Sequence, residues 1–87
     1  MHEASLIRGL MEKVTSLAVT GGARRVTNVR VWLGAFSHMS AERFREHFER
    51  SGAGTIVEVA SLEIEESADI DDPNADGLIL RSIEIEE

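Results

Sequence analysis

The sequence predicts an α+β fold of two layers, with two helices packed on one face of a three-stranded sheet in the order α-β-α-β-β. Three observations carry that prediction. Apolar residues recur at three- and four-residue intervals near the start and in the middle of the chain, the spacing of a buried helix face. In three other stretches β-branched and apolar residues alternate with polar ones. Gly, Asn, Asp and Pro gather between these segments, where turns are needed.

Leu6, Ile7, Leu10, Met11, Val14, Leu17 and Ala18 form the apolar face of the first helix. It begins at or just before Ser5 and stops at Gly21-Gly22. In "RVTNVRVWLG" Val29, Val31 and Leu33 point one way, Asn28, Arg30 and Trp32 the other, and Gly34 ends the strand. The second helix starts in "SHMSAERFREHFERSG". Ser40 is its N-cap, because a hydroxyl there can accept from a free N–H of the first turn. Met39 and Phe44 have the spacing of a hydrophobic staple. Ala41, Phe44 and Phe48 share a face, and Gly52 is the expected stop.

"TIVEVASLEIEE" is the second strand, with Ala60, Leu62 and Ile64 alternating against Ser61, Glu63 and Glu65. "GLILRSIEIEE" is the third, with Ile79, Ile83 and Ile85 on one face. Between them "SADIDDPNADG" is all turn chemistry, a hairpin loop longer than the common length of about two to five residues. The last strand is a candidate sheet edge, open to strand exchange or to pairing with a second copy, so a homo-oligomer is one expectation.

Composition bounds the function. A chain of 87 residues, 43% hydrophobic, makes one small globular domain covering 1–87. The absence of cysteine excludes disulfides and thiolate metal sites. No signal-peptide pattern is present, and no apolar run approaches the roughly 18 residues that span a bilayer. A cytoplasmic location with no membrane partner is therefore expected. The formal charge of −7 argues against a nucleic-acid partner, which needs a basic face. Arg81 is the only basic residue after position 51, and the segment 58–76 holds none.

No phosphate loop, nucleophile elbow or acid–base constellation can be found, so an enzyme is not expected. "DIDDPNAD" has the acids of a calcium loop without its spacing or its terminal Glu. His47 sits between Phe44 and Phe48 at the edge of a buried face, and His38 precedes the helix cap. His2 is distinguished by its neighbours. A bulky second residue protects Met1 from removal, which leaves the Met1 amine free. That amine, the His2 amide nitrogen and the His2 imidazole can close fused chelate rings on one ion. The Glu3 amide nitrogen or carboxylate can complete a square, and four such donors in a plane suit Ni(II) or Cu(II) rather than tetrahedral Zn(II).

"MHEASL", "RRVTNVRVWLGAFS", "GAGTIVEVASLEIEE" and "LILRSIEIEE" together resemble the HypA/HybF family of nickel metallochaperones for [NiFe]-hydrogenase and urease maturation. The resemblance implies the same two-helix, three-stranded fold. It implies Ni(II) as the metal, with His2 the principal ligand helped by the Met1 amine and the backbone at Glu3. Where some family members place an acidic ligand near the start of the second helix, this chain holds Ser40, which could offer a backbone amide or its hydroxyl. The implied partners are the hydrogenase large-subunit precursor and other maturation factors. The family inserts a zinc domain with two C-x-x-C pairs between its last two strands. Here residues 67–77 form an acidic loop instead, and with no cysteine no structural zinc of that kind is expected.

Two functions follow from the resemblance. In the first the chain delivers Ni(II) by ligand exchange, with an affinity that falls as pH drops through the imidazole pKa of about 6.5. In the alternative it has lost metal handling and is a metal-independent docking module of the same pathway, using the sheet's free face or edges. Arg30 and Trp32 are the contacts that reading would use, unless the protein covers its own Trp.

Overall fold

The computed structural model describes residues 3–35, 37 and 40–87. The order is α1 (Glu3–Thr20), β1 (Arg25–Leu33), α2 (Ala41–Gly52), β2 (Ser61–Glu66) and β3 (Leu78–Glu86), as the sequence predicts. Both helices and the inner sheet face share one core. Ile7, Leu10, Val14 and Ala18 of α1 meet Phe44 and Phe48 of α2, over Val26, Val29, Val31 and Leu33 of β1. The two Phe rings stack with centroids 6.4 Å apart.

The strands run in the order β2-β1-β3. β1 pairs parallel with β2 and antiparallel with β3. Residues 67–77 are therefore not a hairpin: β2 and β3 never touch, and the loop crosses the end of β1. The reason lies in composition. β2, with Glu63, Glu65 and Glu66, keeps those carboxylates wet by lying at an edge, while β1, whose Val26, Val29, Val31, Trp32 and Leu33 are all buried, takes the centre. Helix α2 supplies the crossover that a parallel pair requires.

Local chemistry sets most boundaries. α1 ends as expected: Gly22, at φ 74°, lets its own N–H donate to Val19 O and the Ala23 N–H to Ala18 O. Leu17, assigned from spacing to the buried face, is 49% exposed, because at about 100° per residue it lies at the margin of the face that Val14 and Ala18 bury. α2 ends at Gly52, as expected, where that residue is buried, and the positive φ falls two residues later at Gly54. β2 starts only at Ser61, since residues 53–59 form turns in which Val57 is buried and Val59 exposed. The Met39 half of the expected staple lies outside the described residues.

The face assignment of β3 also changes. Leu78, Leu80, Ile83 and Ile85 pack on the core, whereas Ile79 does not. Pairing jumps from Ser82↔Arg30 to Leu80↔Val31, so Arg81 is an extra residue that reverses the alternation. The bulge aims Arg81 at the helix-free face, where its guanidinium lies 5.9 Å from the Trp32 ring centroid. Trp32 is only 6% exposed, so it is not an open contact surface.

At the other end of the sheet Arg25 Nε donates to Glu86 Oε1 at 2.6 Å. That hydrogen bond, with the guanidinium charge, holds the Glu86 carboxyl below its ordinary value. A depressed carboxyl contributes stability above the unfolded pKa and loses it as pH falls through the folded one. In a side-chain carboxyl titration followed by NMR, Glu86 is expected to titrate below the ordinary glutamate value. Arg25→Gln should return it to that value; an unmoved midpoint would count against the pair.

Candidate functional site

Chain directions decide which ends meet. Because β2 is parallel to β1, α2 between them runs back antiparallel to both. α1 is antiparallel to β1 as well. Near its start Leu6 and Gly9 share a groove with Leu78 and Leu80, the partners of Leu33 and Val31. At its far end Gly21 approaches Ile85, the partner of Val26. The two helices are thus parallel, and Ala4 and Arg8 of α1 line a pocket with His47 and Ser51 of α2.

One end of the molecule consequently gathers the first turn of α1, the N-cap of α2, the C-terminal ends of β1 and β2, and the acidic loop. Helix N-termini carry unsatisfied N–H groups and partial positive charge, so acidic side chains are well placed beside them. Met1 and His2 lie outside the described residues. Glu3 opens α1, and an amide nitrogen in the first turn of a helix has no intrahelical acceptor. Coordination through that nitrogen would therefore break no helix hydrogen bond. An amine, an imidazole and backbone amides are the donor set that Ni(II) accepts in a plane.

Ser40 is exposed at the same end. Its hydroxyl accepts from the Arg43 N–H at 3.1 Å, and its carbonyl from the Phe44 N–H at 2.9 Å. One hydroxyl lone pair is thus committed to capping, as the sequence indicated. Ser40→Ala should lower stability by about 1 kcal/mol, a fall in Tm of roughly 5 °C in a thermal melt. An unchanged midpoint would deny the cap its role.

Other candidates resolve differently. His38 lies outside the described residues. His47 is half-buried, as its place between two core Phe residues suggested. In the acidic loop Asp69 Oδ1 accepts from the Asp71 N–H at 2.9 Å, and Asp72 Oδ1 from the Asn74 N–H at 2.8 Å. These carboxylates build turns. Among the described residues no three His, Asp or Glu side chains are grouped to hold a metal.

Sequence reasoning missed what Gly34 does. It was read as a strand stop, but it is buried where the acidic loop folds back over the end of β1. A β-carbon there would overlap the Ala75 carbonyl and lie 2.6 Å from Asn74 O. Nothing in the sequence pattern distinguishes that close approach from an ordinary end of a strand.

A family model for "Hydrogenase/urease nickel incorporation, metallochaperone, hypA" matches residues 1–70. The Hydrogenase maturation factor HypA of Methanopyrus kandleri is 40% identical over 65 residues, 75% of this chain and 46% of that protein. The protein of the same name from Bradyrhizobium sp. is 41% identical over 64 residues, 74% of this chain and 57% of that one. The chain thus spans about half the length of these relatives. A solution structure of the Ni metallochaperone HypA from Helicobacter pylori superposes with a TM-score of 0.80 at 20% identity, over 99% of this chain and 98% of that one. A second HypA solution structure gives 0.74 at 22% identity. At that identity the two structures establish the fold, and they extend the likeness through β3. With 70 of its residues inside the family model, beginning at Met-His-Glu, this chain belongs to the HypA family of hydrogenase and urease nickel-incorporation proteins.

Proposed function

We propose that this protein is a nickel-binding accessory factor that passes Ni(II) to a [NiFe]-hydrogenase precursor. The observation that carries the reading is the family match across residues 1–70, starting at the segment with nickel-type donors. Met1 through its amine, His2 through its amide and imidazole, and Glu3 through its backbone hold the ion. Ser40 adds a backbone or hydroxyl donor. The acidic loop 67–77 stands where the family carries its zinc module, so the nickel donors work without thiolate pairs beside them.

Delivery needs no bond-making chemistry on the protein. The ion leaves by exchange of one donor at a time onto the ligands of the acceptor. The imidazole and amine must be deprotonated to bind, so affinity falls as pH falls. An end lined with carboxylates raises the local concentration of a divalent cation without fixing its geometry. The test is calorimetric titration of nickel into this chain and into His2→Ala. His2→Ala should weaken binding by more than the roughly 10–100-fold that loss of an outer-shell group costs. Equal affinities would sink the proposal.

A further inference from the structure

We infer that the trough between α1 and α2 docks an acidic segment of another protein, whose carboxylates bridge Arg8 and Arg50. The trough, of about 390 Å³, is lined by Ala4, Arg8 and Met11 of α1 and by His47 and Ser51 of α2. Ala4, Arg8 and Ser51 are exposed, and Met11 and His47 half-buried, so it lies open. The Met11 methyl closes its floor, 3.6 Å from where a β-carbon at Gly52 would stand.

Helical geometry puts positive charge on both rims. At about 100° per residue, Arg8 lies about 60° outward of Met11 on the flank of α1 that faces α2. The buried face of α2 carries Phe44 and Phe48. On one side of it Arg45 donates to Leu62 O of β2. On the other side His47 and Ser51 face α1, and Arg50 lies about 60° outward of His47. The helices are parallel with Met11 beside Gly52, so three residues back along each sets Arg8 level with Glu49, next to Arg50.

This charge is not matched from within. Arg43 and His47 already have interactions of their own. Arg8 and Arg50 have no ion pair among the described residues. Glu12 and Glu46, each four residues from one of these arginines, lie about 40° further from the trough. Arg50 offsets the carbonyl end of its own helix, but Arg8 has no such reason. Two guanidinium groups across an open trough repel each other. A carboxylate between them replaces that repulsion with charge-assisted hydrogen bonds.

The floor selects a peptide over a small anion. An anion would leave Met11 uncovered, whereas a peptide sets carboxylates on the rims and an apolar side chain on the adaptable thioether. The residues ahead of Ala4 span at most about 11 Å, so a segment seated here brings its protein up to the Met1–Glu3 donors. That this protein is the nickel acceptor rests on the function proposed above; the docking itself does not.

The test is an NMR titration of the metal-free, isotope-labelled chain with a helical peptide of about fifteen Glu, Ala and Leu residues. A chain of net charge −7 repels such a peptide elsewhere, so binding reports a local basic site. At about 0.05 M salt a submillimolar Kd is expected, with amide shifts centred on Arg8, Met11, His47, Arg50 and Ser51. The same peptide with Gln for Glu should bind at least about tenfold more weakly. Arg8→Glu with Arg50→Glu, both exposed and checked for folding by circular dichroism, should weaken the Glu peptide by about tenfold or more. The inference is overturned by no shift up to millimolar peptide, by shifts centred elsewhere, by equal binding of the Gln peptide, or by unchanged binding of the double variant. Shifts matched by acetate at the same carboxylate concentration overturn it too, since the site would then serve a small anion. No nickel enters the titration, so its result is separate from that of His2→Ala.

Discussion

Acetylation of the Met1 amine is expected to lower nickel affinity by at least about a hundredfold while leaving every side chain in place. The free amine anchors the ion first, and neighbouring amide nitrogens lose their protons and bind only once it is held; acetylation removes that anchor and leaves one more amide that would itself have to be deprotonated. The loss should exceed that of an outer-shell substitution, which costs roughly 10–100-fold. The control is an added residue ahead of Met1, and its expected outcome runs the other way. With His2 moved to third place, an amine, two amides and the imidazole close three consecutive rings from the terminus alone. Binding should tighten, because the terminus alone then completes the square, and transfer to an acceptor should slow. Calorimetry gives the affinities, and the d–d absorption gives the geometry. Equal affinities for the acetylated and free chains would show that the amine is not a donor. That result would leave His2→Ala to decide whether the imidazole is.

Gly34→Ala should be the most damaging single methyl that can be added to the fold. The new carbon would overlap the Ala75 carbonyl, and it would meet backbone, which cannot rotate away as a side chain can. Gly34 is also paired, its N–H donating to Gly77 O at 2.9 Å, so relief requires the loop to lift off the end of β1. A cost of about 3 kcal/mol is expected for such overpacking, lowering Tm by roughly 15 °C. Gly22→Ala makes the comparison. A β-carbon there has open space, and only the positive φ is strained, so about 1 kcal/mol should be lost. If Gly34→Ala melts no lower than Gly22→Ala, the loop is not seated as described.

Periodicity revealed the elements because each helix and strand buries one face. The 3.6-residue spacing of Ile7, Leu10, Val14 and Ala18, and the alternation of Val29, Val31 and Leu33, are direct records of that burial. Where the reading failed, a non-local contact had intervened. The bulge at Arg81 belongs to pairing with β1, so the sequence of β3 alone could not place Ile79. Leu17 has the right spacing, but it lies at the margin of the buried face. The supposed hairpin assumed that strands adjacent in sequence are adjacent in space, which a central β1 prevents. At the site, the chemistry of Met1, His2 and Glu3 is legible because donor type and order need no fold. The company they keep is not: only the parallel course of α1 and α2 brings Ser40 and the acidic loop to the same end.

The base of that loop has a further meaning. The Ser67 N–H donates to Leu33 O at 2.9 Å, and the Gly34 N–H donates to Gly77 O at the same distance. Both stems are thus clamped to the tip of one central strand, on either side of it. Whatever chain lies between them starts and finishes at fixed points, and the sheet is indifferent to its length, since closing a longer loop costs only about 0.6 kcal/mol per doubling. The tip of β1 is in this sense a socket. A short acidic loop or a whole folded module can be plugged into it, and either would stand over the end of the molecule where both helices begin.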